Sequence, residues 1–348
     1  MYTQYLHRIE AELERIMPES ANISWLSETA GKPCGEDLSR EADIFLEPGR
    51  ALLRRGGKRW RPLVTVLTCE ALGGGSRADA LAPLTEIPHN GSLIIDDIED
   101  NALTRRGETA IHIQYGTDLA VNAGNLMYFI PTVVFDYMNF SENVSAGIIR
   151  DWLAVMRRLH LGQGCDIVWH RDNFSGCKKR PSRAAYLQMC RYKTGSLCWL
   201  AARLGARAAG ADADLIESHG EAWETLGLGF QVLDDARNLR GGIPGKDRGD
   251  DIAEGKKSMP VILHLEKHPQ DRERMEQLFS EAARHVPNGD WSAVNKAMAL
   301  MNESGAVEEA YSEGLALLDK GEKDLLRILP DSSAASLLLK MIKSFRAA

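Results

Sequence analysis

Asp96, Asp97, Glu99 and Asp100 place four carboxylates in five consecutive positions, directly after the apolar run Leu93–Ile95. On a helix, Asp96 and Asp100 share a face one turn apart, with Asp97 beside it. Like charges at that spacing destabilise a helix and raise one another's pKa unless a cation compensates. Such a face suits Mg²⁺, which takes one or two protein carboxylates and keeps positions for water and phosphate oxygens. A second cluster repeats the design: in GFQVLDDARN, Asp234 and Asp235 follow an apolar run, with Asn238 where a third acid would stand. Either cluster alone reads as a solvated helix end, but the apolar residues before both argue against that. Facing each other across a cavity, the two would hold several Mg²⁺ ions and one polyanion.

A diphosphate also needs cations from the protein. LRRGGKRWRP sets Arg54, Arg55, Lys58, Arg59 and Arg61 around a Gly-Gly turn, ahead of a helix predicted near Pro62 whose first N–H groups favour an anion. LTRRGE adds Arg105 and Arg106, and RYKTGS adds Lys193 and Thr194. GKDRGDDIAEGKKS adds Lys246, Asp250, Asp251, Lys256 and Lys257. Each run alone reads as a solvated face. Together with the acidic clusters they describe a pocket for two diphosphates, one held through metal and one held directly by Arg and Lys.

The elements that must position these residues are helices. Strand-like alternation is scarce, while helical spacing recurs in YLHRIEAELERIM, RPLVTVLTCEALGG and APLTEIPHNGSLIIDDIEDNA, the last with Pro88 as a kink site. DLAVNAGNLMYFIPTVVFDYM is nearly all apolar and reads as a helix buried on most sides. Helices are also predicted in IIRDWLAVMRRLHLGQGCDIVW, SRAAYLQMCRYKTGSLCWLAARLGARAAG and DLIESHGEAWETLGLGFQVLDDARNL, followed by amphipathic surface helices to the C-terminus. With 348 residues, 44% of them hydrophobic, a large core is available, and no composition break divides the chain. The reading is one all-α domain over residues 1–348. The net charge of −7 argues against nucleic acid as a partner. No stretch is apolar enough to anchor in a membrane, and the first residues lack the apolar core of a signal peptide. Six cysteines without a C-x-x-C pair fit buried thiols in a reducing cytoplasm and no zinc site.

GGKRWRP, HNGSLIIDDIEDNALTRRG, LHLGQGCDI, YKTGS and GFQVLDDARN…GKDRGDDIAEGKKS stand in the order of the trans-isoprenyl diphosphate synthases, and the chain resembles that family from about Gly56 to Leu265. The set is most similar to the geranylgeranyl type. The resemblance implies a homodimer with the isoprenoid synthase fold, roughly a dozen helices around a deep central cavity. It implies head-to-tail condensation of isopentenyl diphosphate with an allylic diphosphate, assisted by three Mg²⁺ ions. By motif, Asp96 and Asp100, with Asp97 beside them, and Asp234 hold the metal. Lys58, Arg61, His89 and Arg106 match the isopentenyl diphosphate site. Arg105, Lys193, Gln231 and Lys246 match the allylic diphosphate site, with Thr194 close by, Lys256 as a further diphosphate contact, and Gln163 and Asp166 in the cavity wall. Asn238 departs from the acidic pattern and adds no charge. His89, next to Pro88, reads either as a ligand or as a core histidine.

The growing chain would pass one turn before Asp96, where Gly91 and Ser92 are small and leave room. Tyr128 and Phe129 are the next obstruction, closing the cavity at about C20 or somewhat beyond; the alternative is that they only pack a core or a dimer interface. Three other readings compete. A class I terpene cyclase would share the first acidic motif but would not need GGKRWRP. A non-catalytic synthase subunit would lose metal-binding aspartates that are present here. A helical scaffold would leave both clusters unexplained.

Overall fold

The computed structural model describes residues 2–32, 37–171, 181–242 and 247–347. Lys246, Cys34 and Cys177 lie outside the described residues. In chain order the helices are α1 (Thr3–Ile16), α2 (Ile23–Ala30), α3 (Ser39–Arg54), α4 (Trp60–Ala71), α5 (Pro83–Glu99), α6 (Ile111–Tyr115), α7 (Thr117–Phe129), α8 (Val134–Tyr137) and α9 (Glu142–Arg171). They continue with α10 (Arg183–Cys190), α11 (Ser196–Ala209), α12 (Ala213–Arg240), α13 (Asp250–Ala253), α14 (Met259–Lys267), α15 (Arg272–His285), α16 (Ser292–Glu303), α17 (Ala306–Leu326) and α18 (Ser333–Ala347). The all-α expectation holds. Among the described residues the one exception is a hairpin of β1 (Thr104–Arg105) and β2 (Glu108–Thr109). Its two turn residues, Arg106 and Gly107, have φ of +56° and +78°, as a tight hairpin turn of the mirror-image kind requires. Among the described residues no helix is long and apolar enough to cross a membrane.

The chain divides into two compact units, each assembled from segments distant in sequence. The first comprises Met1–Met156, Leu197–Gly220 and Ile328–Met341; the second comprises Arg157–Ser196, Glu221–Arg327 and Ile342–Ala348. Such interleaving leaves no composition break to read along the chain.

In the first unit, α1 buries Tyr5, Ile9, Leu13 and Ile16, the 3.6-residue stripe that its sequence shows. Helix α5 is covered almost throughout and continues through Pro88. Pro88 has no N–H for the carbonyl of Leu84, and the indole Nε1 of Trp152 donates to that carbonyl instead, at 3.3 Å. Helices α5 and α7 pack closely. A Cβ added at Gly91 would lie 2.7 Å from Met127 Cβ and 2.8 Å from the Gly124 carbonyl, and one added at Gly124 would lie 2.8 Å from Ile95 Cδ1. This corrects the expectation that Gly91 leaves room for a substrate tail: α7 already fills that space. Helix α7 also departs from the reading of DLAVNAGNLMYFIPTVVFDYM as one helix buried on most sides. It gives way to a 3₁₀ turn at Ile130–Val133 carrying Pro131, and within the chain Val121, Asn125 and Phe129 line an exposed face.

In the second unit, the later part of α12 runs through the core. Leu228, Val232 and Ala236 pack with Met259, Ile262 and Leu263 of α14 and with Ala306 and Ala310 of α17. Met275, Leu278, Phe279 and Ala282 form the buried stripe of α15, as its amphipathic sequence predicts. Arg237 donates to the carbonyls of Phe345 and Arg346, both at 2.9 Å, and so satisfies acceptors that the last turn of α18 leaves open.

Gly91→Ala is expected to lower stability by about 1–3 kcal/mol, the usual range for forcing a methyl into a filled contact. Denaturant unfolding checks this; an unchanged midpoint at equal slope would show that α5 and α7 separate without cost.

Candidate active site

The acidic end of α5 stops in a capped turn. Asn101, at φ +52°, lets Ala102 N–H reach the carbonyl of Asp97 at 2.9 Å. Four acids therefore crowd the negative end of a helix dipole, where cations are favoured and carboxylates are not. Asp97 is fully buried, and Arg105 Nε donates to its Oδ1 at 2.8 Å, with Nη2 reaching the same oxygen. Burial raises the Asp97 carboxyl, and the Arg105 guanidinium opposes the shift. Asp97 thus acts as the seat of Arg105, whose Nη2 also comes within 3.7 Å of Asp96 Oδ2. Asp96 and Asp100 are only partly buried, one turn apart. Among the described residues no group of three or more His, Cys, Asp or Glu is placed to hold a metal ion. A pair of carboxylates is nevertheless a donor set that fits Mg²⁺, because that ion keeps most of its shell as water or phosphate oxygen. Burial, with the charges of Glu99 and Asp96, pushes the Tyr128 hydroxyl well up, so Tyr128 of α7 lies near this end of α5.

Seven residues earlier on α5, a cationic cluster forms around His89. Arg61 Nη1 lies 3.1 Å from His89 Nε2, and its guanidinium stacks 4.3 Å from the Trp60 ring centre. Burial, followed by the charges of Arg61, Arg106, Arg105 and Arg59, holds the imidazole well below its ordinary pKa. His89 is therefore neutral at pH 7. Because an arginine can only donate, Nε2 is the acceptor and Nδ1 keeps its proton. Arg106 Nη1 donates to the carbonyls of Leu52, at 3.1 Å, and of Gly56. Its guanidinium also covers Gly57, whose missing Cβ would lie 3.3 Å from Nη2. Lys58 is exposed beside them. Four expected residues, Lys58, Arg61, His89 and Arg106, thus fall in one neighbourhood. Arg59 does not join them: its guanidinium turns inward to Glu86 and Glu10. Ser92, one turn before Asp96, is partly exposed and donates to the His89 carbonyl at 2.8 Å.

In the second unit, the YKTG segment is a single π-turn, Arg191–Gly195, between α10 and α11. One extra residue per turn of this kind often marks a functional position. Gly162 of α9 permits close approach, since a Cβ there would meet the Lys193 backbone nitrogen. Lys193 Nζ lies 2.6 Å from Asp166 Oδ2, and His170 Nε2 lies 2.8 Å from Asp166 Oδ1. Burial alone would raise the Asp166 carboxyl, but Lys193 and His170 outweigh it and hold it well below the usual range. Thr194 Oγ1 donates to Gln231 Oε1 at 2.8 Å, and Gln231 Nε2 donates to Asp235 Oδ1 at 3.1 Å. The Tyr186 hydroxyl and the Met259 N–H also donate to Asp235. Burial, with the charge of Asp251, pushes this carboxyl up to about 7. Asp235 is therefore the structural member of its pair, and Asp234 is left as the candidate metal ligand. Asn238 donates to Asp250, which gives the missing third acid a structural partner instead of a metal. Lys256 pairs with Asp251 at 3.1 Å and with Glu254. Sequence reasoning missed Glu86, Tyr186 and His170. The signal for Glu86 was a lone acid in the apolar run PLTEIP.

The polyprenyl synthetase family model matches residues 42–296. The geranylfarnesyl diphosphate synthase of Aeropyrum pernix is 32% identical over 299 residues, covering 82% of this chain and 87% of the relative. The geranylgeranyl diphosphate synthase of Methanosarcina mazei is 29% identical over 307 residues, covering 87% and 89%. The crystal structure of geranylgeranyl pyrophosphate synthetase from Pyrococcus horikoshii superposes with a TM-score of 0.82 at 24% identity, over 99% of this chain and 96% of that one. The chain belongs to the polyprenyl synthetase family. It is a prenyltransferase with the fold of that family.

The Lys193–Asp166 pair has a pH signature. The folded pKa of Asp166 is depressed, so the pair's stabilisation is complete above the unfolded carboxylate value of about 3.9 and fades as pH falls through the lower folded value. Lys193→Met is expected to cost about 1–3 kcal/mol at pH 7, with the gap to the parent narrowing in acid. Urea unfolding across pH checks this; a gap independent of pH would assign the loss to packing.

Proposed function

We propose that the protein condenses isopentenyl diphosphate head-to-tail with an allylic diphosphate, giving an all-trans prenyl diphosphate of C20 or somewhat longer. One observation carries the reading: α5 bears a cationic cluster at His89 and an acidic one at Asp96, about 10 Å apart by helical rise. That spacing suits two diphosphates separated by one five-carbon unit. Lys58, Arg61 and Arg106 would take the isopentenyl diphosphate, with neutral His89 donating from Nδ1. Lys193, Thr194 and Gln231 would take allylic diphosphate oxygens, as would Arg105, held ready by Asp97. Lys246 and Lys256 are proposed as further contacts from the motif match. Asp96 and Asp100, and separately Asp234, would hold Mg²⁺, which supplies positive charge to the leaving diphosphate when bound. The apolar residues beside these clusters exclude water that would quench an allylic cation. Gln163 and Asp166 are proposed, from the motif match, to lie in the cavity wall.

Within one chain, buried Tyr128 is better placed to stop the product tail than Phe129, which is 66% exposed. The uncovered α7 face with Val121, Asn125 and Phe129 supports a homodimer. Thiols at Cys69, Cys190 and Cys198 are buried, whereas Cys165 is exposed, which corrects the expectation that the thiols are buried throughout; a reducing cytoplasm is proposed as their setting.

The central test is elongation by purified protein of labelled isopentenyl diphosphate with allylic primers of several lengths. Mg²⁺-dependent elongation is expected, and its absence with every primer would sink the reading. Asp96→Ala should cut turnover by about 10²-fold or more, as losing a preorganised charge does. In the same assay, Tyr128→Ala should lengthen the products, and unchanged length would remove Tyr128 as the floor. Light scattering should report a dimer that Val121→Glu converts to monomer; a parent that is already monomeric would refute the interface.

A further inference from the structure

Arg59 stands between Lys58 and Arg61 but cannot serve a diphosphate as they do. Its guanidinium is 5% exposed, and four of its five N–H donors are engaged. Nε donates to Glu10 Oε1 at 2.8 Å, and Nη1 donates to Glu86 Oε1 at 2.8 Å and to the Gly56 carbonyl at 3.4 Å. Nη2 donates to the Leu53 carbonyl at 2.8 Å. Glu86 is equally buried, belongs to α5 three residues before His89, and also accepts from Asn90 Nδ2 at 3.0 Å. The Arg59 main chain sits at φ +48°, a left-handed conformation that an L side chain adopts only when its surroundings compel it.

Glu10 comes from α1, which precedes residues 42–296 matched by the family model. Helix α1 is itself pinned: the Tyr5 hydroxyl donates to Glu70 at 2.7 Å, and Arg8 Nε donates to Asp79 at 2.8 Å. A firm helix, a buried guanidinium and a buried carboxylate therefore form a chain of charge from α1 through the Gly56–Arg59 loop to α5. The Gly56 carbonyl that Arg59 touches is also the one that seats Arg106.

We infer that Glu10, Arg59 and Glu86 are positioning residues for isopentenyl diphosphate: they set the Gly56–Arg59 loop, the start of α4 and Arg106 against α5, and α1 takes part in substrate recognition through them. The inference rests on the function proposed above. Loop position acts directly on Lys58 and, through the Gly56 carbonyl, on Arg106, while Arg105 of the allylic site keeps its own anchor at Asp97. Loosening the chain of charge therefore raises the KM for isopentenyl diphosphate and leaves the KM for the allylic diphosphate and the saturated kcat near the parent values.

The gentle probe is Glu10→Gln, since Glu10 is half-exposed and the amide keeps its shape. It is expected to raise the KM for isopentenyl diphosphate about three- to tenfold. Arg59→Gly accepts the backbone conformation but removes the guanidinium, and should raise that KM by about 10²-fold. Arg59→Lys keeps the charge without the fork that bridges two carboxylates, and should fall between Arg59→Gly and the parent. Steady-state kinetics with each substrate varied, alongside thermal unfolding, reads all three. If the parent elongates and Glu10→Gln leaves this KM within twofold, the inference is overturned. It is equally overturned if both KM values rise together or only kcat falls, since that is the mark of a general structural role. A parent that does not elongate at all refutes the proposed function instead.

Discussion

A charge enclosed in an apolar helix bundle must keep its partner, and α5 encloses two. Asp97 and Glu86 are both buried carboxylates, held by Arg105 and Arg59. Taking such ions out of water costs several kcal/mol each, and breaking one pair leaves that cost uncompensated. Each basic segment is therefore obliged to lie where its carboxylate is. The hairpin carrying Arg105 is drawn to one end of α5, and the Gly-Gly loop carrying Arg59 is drawn to the other. Arg106 then joins the two segments through the Gly56 carbonyl. The relative placement of the remaining cations follows from where two acids fall on one helix.

The arrangement concentrates like charge at two places on α5. Around His89, burial and then the arginines depress the imidazole so that it adds no further positive charge, yet Arg61, Arg106 and the exposed Lys58 remain close together. At the other end of α5, carboxylates gather at the wrong pole of a helix dipole. Both conditions are ones that a charged ligand relieves. The second unit follows the same logic. Asp235 and Asp166 are enclosed and hydrogen-bonded, and Lys193 is held by Asp166 within a π-turn that Gly162 allows to come close.

Much of this was legible in the residues. The grouping of Lys193, Thr194 and Gln231 was what the family resemblance implied, and the helical class and the acidic clusters followed from spacing. The direction of a side chain did not. Arg59 and Arg61 are two apart in one basic run and both are buried, but Arg59 bonds Glu86, distant in sequence, while Arg61 lies against His89. Two-residue strands are too short to alternate, so the hairpin holding Arg105 and Arg106 left no pattern. The π-turn is a shift of backbone hydrogen bonds without a side-chain signature. Glycine is ambiguous by nature: at Gly91 it could mean vacancy or contact, and the residue that decides, Gly124, lies on another helix.

The contact between those two glycines also limits how the protein can change over time. A methyl at position 91 meets a backbone carbonyl, which no second substitution can shrink. Compensation would have to come from displacing α7 as a whole, and with it Tyr128. Ser92, one position on, is only partly covered and carries no such restriction. Heritable variation along this face of α5 is therefore channelled to one residue of an adjacent pair, with its neighbour held fixed by the main chain of another helix.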